Sequence, residues 1–354
     1  MKRLLFISIL YVVVTFIEVF HRIFLVLDHL FFPSFRKVNI REPVIITGMP
    51  RTGSSFFYES LAADSERFTA MKLWEILLAP SIIQKKILVF VRQMDRYLGN
   101  YLNRGMTKIE DLIFGGIETI HPMKFRDAEE DEFLFLHRWA SAYLIFIFPR
   151  IKHVLKFARF DDLVSDRRKA SLMRYYKKCV QRHLYTFGSG RQYLAKGSAH
   201  SPRLRSLMET FPGCRIICLY RSPLQVVPSA LSLFRSNLMS FYSPFEIGDL
   251  RDLTLDIADH WYRYPLEVRK KTGSDAVHVI HFTEMTADIR ETISSLYRAF
   301  KYEMGEEFSL HLDRTARKRH KSRHRYSPKE FTLTKAEIDA RYKDVIASYE
   351  SLQH

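Results

Sequence analysis

Val44-Ile45-Ile46-Thr47-Gly48-Met49-Pro50-Arg51-Thr52-Gly53-Ser54-Ser55 is the stretch whose reading decides the fold. A short apolar run ending at Thr47-Gly48 reads as a buried parallel strand, because helices cover both faces of such a strand and it needs no polar side. Helical spacing resumes from Ser54 to about Ala63. The loop between them, Gly48 to Gly53, has the GxxxxG spacing of a Walker A loop. Glycines let a backbone approach an anion, and the following helix turns free N–H groups and its positive dipole end toward it. Ser54, however, stands where the Walker motif has lysine, and Arg51 supplies the positive charge instead. A nucleotide hydrolase needs that lysine on the β- and γ-phosphates and a hydroxyl holding Mg²⁺. The loop is therefore expected to bind phosphate through an arginine fork without a metal, with Arg51, Thr52, Gly53, Ser54 and Ser55 as contacts. A plain glycine turn is the alternative.

Working outward, strand-like segments recur at Gln192 to Lys196, Arg215 to Tyr220 and Val277 to Phe282, each followed by a helical pattern. That order implies βα units and a mostly parallel sheet. Arg221 falls at the carboxyl edge of its strand, where open parallel sheets bind ligands. Ser229 follows eight residues later, about two turns into the next helix, with its hydroxyl directed back toward Arg221. The two suit a second phosphate, distinct from the one in the loop. A helix cap at Ser222 with Arg221 in a structural ion pair is the competing reading.

Residues 70 to 187 read as mostly helical. One face carries Phe133, Leu136, Trp139, Tyr143 and Ile147, and another carries Leu172, Tyr175, Cys179 and His183, stopping at Gly188. The acidic run Glu129 to Glu132 reads as a helix start, where negative charge complements the dipole. Pro33 and Pro43 bracket a polar linker, and a last amphipathic helix covers about Thr334 to Tyr349. The expected architecture is a P-loop-type three-layer α/β/α domain over residues 40–354, with a mostly parallel sheet and a helical insertion, preceded by an apolar helix over residues 1–32.

That N-terminal helix has an uncharged run from Leu4 to Ile17, roughly 21 Å long as a helix against the ~30 Å of a hydrocarbon core. Extending it to Phe32 brings in Glu18 and Arg22, costly at mid-bilayer. No small-residue cleavage site follows. A helix lying on or dipping into a membrane is favoured, while a single span and a helix packed on its own core or a dimer partner stay open. The 354 residues carry 55 Lys+Arg against 39 Asp+Glu, a formal net charge of +16, which favours an anionic partner. Cys179, Cys214 and Cys218 form no CxxC, and Cys214 and Cys218 lie roughly 13 Å apart on one strand, too far to bridge. A disulfide framework and a zinc site are not expected, and a reducing compartment fits. The expected location is therefore the cytoplasmic face of a membrane.

Pro50-Arg-Thr-Gly-Ser-Ser55 with Arg221-x-Pro223-x₅-Ser229 resembles the sulfotransferases. Trp74-Glu75 with Pro80, Glu129 to Glu132, Leu194-Ala-Lys196-Gly-Ser-Ala-His200 and His324-Arg-Tyr-Ser327 extend the likeness over roughly residues 40 to 350. It looks nearest the bacterial branch that also resembles the tyrosylprotein type. The resemblance implies 3′-phosphoadenosine 5′-phosphosulfate as co-substrate, with a 5′-phosphosulfate loop, a 3′-phosphate site and no metal. It implies transfer of a sulfuryl group to a hydroxyl or amine acceptor, which an N-terminal membrane helix would make lipid-borne or hydrophobic. By that likeness Glu75 is the first choice for base. Lys196 and Arg51 would stabilise the transferring group. His200 is the rival base, displaced by two residues from the Lys-x-His of the cytosolic enzymes, with Gly197-Ser198 where relatives carry Ser-Pro. The basic tract Arg314 to Arg325, with Arg325 as a cofactor contact, would fold over the 3′-phosphate; a solvated face or a lipid-contacting patch are equal alternatives.

Two other functions compete. A P-loop small-molecule kinase would need a lysine before Ser54 or Ser55 and a Walker B-like aspartate, and neither is evident. An inactive anion-binding or membrane-surface protein would use the same basic residues but need neither Glu75 nor Lys196. Nucleic acid is not an expected partner, since no recognised motif accompanies the basic tract and the aromatics fall at helical core spacing. Oligomeric state is not legible.

Overall fold

The computed structural model describes residues 2–114, 124–149, 152–188, 190–273, 275–317 and 333–353. The chain opens with helix α1 (Lys2–Phe31), then strand β1 (Val44–Gly48), helix α2 (Ser54–Ala62) and a two-residue strand β2 (Phe68–Thr69). A helical insertion follows: α3 (Leu73–Leu77), α4 (Ile82–Tyr97), α5 (Tyr101–Phe114), the short α6 (Lys152–Leu155) and α7 (Phe160–Leu163), and the long α8 (Asp166–Phe187). The second half alternates β3 (Gln192–Lys196), α9 (Leu204–Thr210), β4 (Arg215–Tyr220), α10 (Pro223–Ser240), α11 (Ile247–Thr272) and β5 (Val277–His281). Helices α12 (Phe282–Ala287), α13 (Ile289–Phe300), α14 (Glu306–Ala316) and α15 (Lys335–Glu350) complete it.

The five strands form one sheet in the order β2-β3-β1-β4-β5, and every pair is parallel. The three strands expected from the second half of the sequence are present, and β1 is the central one. Its five residues are all buried, and the period-2 alternation of a strand splits them between two cores. Val44 and Ile46 pack with Phe57, Leu61, Ile217 and Leu296 on one side. Ile45 packs with Ile216, Cys218 and the α8, α10 and α11 side chains Cys179, Val227 and Trp261 on the other. Each fully buried Ile contributes about 1.5–3 kcal/mol. The result is the three-layer α/β/α arrangement.

Two local readings are corrected, and two features are added that local sequence did not show. The aromatic stretch from Phe133 to Ile147 is not one helix but two 3₁₀ turns, Asp131–Arg138 and Ala142–Phe146, divided at Trp139, which takes φ 48°. The linker after α1 contains a 3₁₀ turn, Pro33–Lys37, whose Phe35 is fully buried under the Arg182 guanidinium, 4.3 Å from the ring centre. Strand β2 is too short to be seen by alternation. Finally, Glu18 pairs with His137, across the interface between α1 and the domain.

Helix α1 is long and apolar enough to cross a membrane, yet it packs lengthwise on the domain. Positions 3, 7, 10, 14, 17, 21, 24 and 28 are buried or half-buried, a stripe with the 3.5-residue spacing of helix-on-helix packing. Asp28 anchors one end: its carboxylate accepts from Arg182 Nε at 2.7 Å, from the Ser81 hydroxyl at 3.1 Å and from the Ile82 and Ile83 amides at 3.0 and 3.2 Å. The amide contacts cap α4. Near the other end, Arg3 donates to the Ile147 carbonyl at 3.1 Å and Phe6 meets Tyr242 edge-on.

Candidate functional site

The loop after β1 lies at the carboxyl end of the sheet's central strand. Its opening residue, Gly48, has φ 139°, and a Cβ there would meet the Leu219 carbonyl oxygen of β4 at 2.4 Å. Only glycine lets β1 and β4 keep their register, Gly48 opposite Leu219. Gly53, at φ 83°, is the N-cap of α2, and a Cβ there would strike Met285 at 2.6 Å and Phe282 at 3.1 Å. No side chain caps α2, so the helix start offers its first-turn N–H groups to an anion. Thr52 is fully buried and its hydroxyl donates to the Met49 carbonyl at 2.9 Å, tying the loop to itself. Ser54 and Ser55 are half-buried at the helix start.

The two candidate phosphate sites interlock. Arg51 Nε donates to Ser229 Oγ at 3.1 Å, reaching from the loop to the second turn of α10. Arg221 Nη1 donates back to the Arg51 carbonyl at 2.9 Å, and Arg221 Nε donates to the Gln225 side chain at 2.9 Å. The Arg221 guanidinium is also held flat, 4.2 Å over the Phe282 ring, while the Tyr262 hydroxyl donates to the Arg221 carbonyl at 2.8 Å. Ser222 is the N-cap of α10 without a side-chain cap bond, and Pro223 occupies the first turn. The expected convergence of Arg221 and Ser229 is therefore made through Arg51. Arg51 is held at φ 74°, a left-handed conformation that costs a non-glycine residue about 1–2 kcal/mol. The donor set, two arginines, hydroxyls and an uncapped helix start around a glycine cradle, fits a nucleotide carrying two separate phosphoryl groups. Among the described residues no group of His, Cys, Asp or Glu is arranged to hold a metal ion.

Lys196 ends β3, almost wholly buried. Its ammonium donates to Ser55 Oγ at 3.2 Å, lies 3.8 Å from Glu129 and 3.7 Å from Glu130, and stands 5.6 Å from the Tyr58 ring centre. Burial pushes the Tyr58 phenol well above its ordinary range, and the charges of Asp131, Glu129, Glu75 and Glu130 push it further.

The acidic run does open a helical turn, the 3₁₀ turn Asp131–Arg138 with Asp131 and Glu132 in its first turn, but its pairing was not read from the sequence. Its side chains turn inward onto Lys196 of β3 and onto His200 and Arg203 in the turn after it. Glu129 and Glu130 flank Lys196, Asp131 meets His200 at 2.6 Å, and Glu132 pairs with the fully buried Arg203. Asp131 also accepts from the Tyr193 hydroxyl at 2.7 Å and from Tyr176. Burial pushes the Asp131 carboxyl up, but His200 and the two tyrosines outweigh that and hold it below the usual range. A signal was available: Lys196, His200 and Arg203 follow one another at a spacing of four and three, opposite a run of four acids.

Glu75 lies in the first turn of α3 and is buried to 2% exposure. Its carboxylate accepts from His183 Nδ1 at 2.8 Å and from the Lys72 amide at 3.2 Å, with Lys85 Nζ at 3.8 Å. The Thr69 hydroxyl lies 2.9 Å from His183 Nε2 and orients the ring from behind. Burial raises the Glu75 carboxyl, and the His183 charge and hydrogen bond, with Lys85, more than offset it. The net direction is downward, so Glu75 is ionised at neutral pH. His200 is fully buried, with its Nε2 on Asp131 and, among the described residues, no partner at Nδ1. A Cβ at residue 197 would press on the ring at 2.9 Å, which is why glycine stands there. Of the basic tract, Arg314 lies in the last turn of α14 and the described chain continues to Arg317. Arg325 and the stretch His324 to Ser327 lie outside the described residues.

Comparison with known proteins supports one reading of this geometry. The model of the sulfotransferase family matches residues 43–306. Sulfotransferase STF9 from Mycobacterium avium is structurally similar at TM-score 0.72 and 16% identity, over 92% of this chain and 81% of that one. Sulfotransferase STF1 from Mycobacterium tuberculosis H37Rv gives 0.71 and 19%, over 93% and 83%. At those identities the likeness speaks for the fold. No curated protein matches the chain.

Proposed function

The chain belongs to the sulfotransferase family, and from that premise we propose that it moves a sulfuryl group from 3′-phosphoadenosine 5′-phosphosulfate to a hydroxyl or amine acceptor. The observation that carries the choice of donor is the interlock of Arg51, Ser229 and Arg221 at 3.1 and 2.9 Å. It ties two anion-binding elements into one unit, as a bisphosphorylated nucleoside requires. Thr52, Gly53, Ser54 and Ser55 would cradle the 5′-phosphosulfate, and Arg221 and Ser229 the 3′-phosphate. Arg325 would add to the latter from the basic tract.

In-line transfer breaks the bond from sulfur to the bridging phosphate oxygen and forms one to the acceptor oxygen or nitrogen, whose proton leaves to a base. Arg51 and Lys196 would neutralise the charge growing on the bridging oxygen, a fixed electrostatic contribution needing no reorganisation. Glu75 is proposed as the base, the role that the tyrosylprotein likeness gives it. An ionised carboxylate held by His183 and Lys85 is in the right state to take a proton. His200 remains the rival, to be separated by variants. The N-terminal helix, with an apolar face exposed, supports a membrane-associated enzyme acting on a lipid-borne or hydrophobic acceptor, and the cytoplasmic face is proposed because Cys179, Cys214 and Cys218 are free thiols. The working division is residues 1–32 as membrane-associated helix and 40–354 as sulfotransferase domain.

The deciding experiment is calorimetric titration with 3′-phosphoadenosine 5′-phosphate against ATP, both without Mg²⁺. Tight binding of the bisphosphate over ATP supports the reading. No binding, or preference for Mg-ATP, overturns it in favour of a kinase or an inactive anion-binding protein.

A further inference from the structure

Helix α1 is amphipathic the wrong way round for water. Three of its polar side chains, Glu18, His21 and Asp28, are buried against the domain and Arg22 is exposed, while Leu4, Val12, Phe16, Val26 and Leu30 are among the apolar ones left 65–75% exposed. A second such surface adjoins it. Asp28 caps α4, His21 Nδ1 meets the Gln84 side chain at 2.8 Å, and Lys86 stands over the Phe32 ring at 4.7 Å. The α4–α5 pair leaves the domain as a hairpin whose tip exposes Phe90, Met94, Tyr97, Leu98, Tyr101 and Leu102. The tip is ordered, not frayed. Gly99 and Asn100 turn it at φ 101° and 60°, the Asp95 carboxylate accepts from the Leu102 amide at 2.8 Å, and the Asn100 amide donates to the Asp95 carbonyl at 2.8 Å.

Charge selects the occupant. Lys86, Arg92, Arg96, Arg104 and Lys108 are exposed among those apolar side chains. The hairpin's acids are engaged internally where described: Asp95 holds the tip and Glu110 accepts from the Phe125 amide at 2.7 Å. In a two-fold pairing of this face with a second copy the same cations would be brought together. An anionic bilayer instead satisfies both components, acyl chains for the aromatic and aliphatic side chains and headgroups for the lysines and arginines.

We propose that the α4–α5 hairpin, together with the outer face of α1, is an in-plane contact surface for an anionic phospholipid membrane. The helix lies along the surface and does not cross it, because Glu18, His21 and Asp28 bind it to the domain and the exposed Arg22 would be costly at mid-bilayer. This inference rests on the membrane-associated reading above and adds the element, the orientation and the lipid charge. The test is vesicle flotation of the full-length protein on phosphatidylcholine alone and on phosphatidylcholine mixed with phosphatidylglycerol. The variants are a tip triple (Leu98→Ser, Tyr101→Ser, Leu102→Ser) and a charge triple (Arg92→Gln, Arg96→Gln, Arg104→Gln). The parent is expected to favour the anionic vesicles. The charge triple should lose at least about tenfold of that partitioning, and the tip triple should lose binding to both. Retained affinity for 3′-phosphoadenosine 5′-phosphate shows that the variants fold. A parent that floats equally well with either triple leaves α1 as the anchor and overturns the hairpin's role alone. A parent that does not float overturns membrane association without touching sulfuryl transfer. A vesicle-free dimer that the tip triple makes monomeric assigns the surface to a second copy and overturns the proposal.

Discussion

Removing Arg221 is expected to damage both proposed phosphate sites, and removing Arg51 mainly one. Arg221 contacts the second site itself and also donates to the Arg51 carbonyl at 2.9 Å, holding that residue at φ 74°. Arg51→Ala keeps its carbonyl, so the tether survives and only the Arg51 side chain is lost. Arg221→Ala removes its own side chain and releases a backbone conformation whose intrinsic cost is about 1–2 kcal/mol, so Arg51 drifts from its place 3.1 Å from Ser229. A hydrogen bond to a charged group is worth about 1.5–3 kcal/mol, and about 1.4 kcal/mol is tenfold in affinity. Arg51→Ala should therefore weaken 3′-phosphoadenosine 5′-phosphate binding roughly 10- to 100-fold, and Arg221→Ala more. The double variant should fall short of the sum of the two losses by about 1 kcal/mol, within the range seen for residues in contact. The assay is calorimetry on all four proteins without Mg²⁺, with thermal melts as controls. Losses that add to within about 0.3–0.5 kcal/mol would show the two sites to be independent and refute the interlock.

Three further outcomes follow from the geometry. Gly48→Ala places a methyl 2.4 Å from the Leu219 carbonyl, and strain with overpacking should cost about 2–5 kcal/mol, read as a lower urea midpoint; an unchanged midpoint would mean that β1 and β4 can part freely. Asp131→Ala leaves His200 buried without its partner and should cost about 3–5 kcal/mol, measured the same way; a loss below about 1 kcal/mol would deny it the role of a buried anchor. Glu75 is held below its usual carboxyl value, so it adds stability that is present above the unfolded value of 4.5 and lost as pH falls through the lower folded one. Glu75→Gln should flatten that part of the stability–pH profile and reduce turnover at least about 100-fold. Full turnover in that variant would move the base to His200, where His200→Gln tests it.

Much of this protein was legible in local sequence because the signals are local. The strand at Val44, the glycines at 48 and 53 and the helix from Ser54 follow one another without interruption, and each is dictated by backbone sterics or helix-end chemistry. The strands at Gln192, Arg215 and Val277 and the helix ending at Gly188 were readable for the same reason. Strand β2 was not, since two residues carry no periodicity, and the stretch from Phe133 to Ile147 mimics a helix because apolar residues fall at that spacing on both of its 3₁₀ turns.

What the sequence determined alone is a parallel sheet whose central strand feeds a glycine-flanked loop and a helix start, with a second arginine and serine at the edge of another strand. Tertiary structure decided what those charges do. Only the packing of β3 against the inserted segment turns Glu129 to Glu132 from an exposed-looking acidic run into partners for Lys196, His200 and Arg203. Only the docking of α1 shows that Glu18, His21 and Asp28 face inward, leaving a largely apolar face outside. Both depend on contacts between residues 63 to 154 positions apart. Ion pairing and burial act through space, and spacing along the chain carries no record of which distant side chain comes to lie opposite.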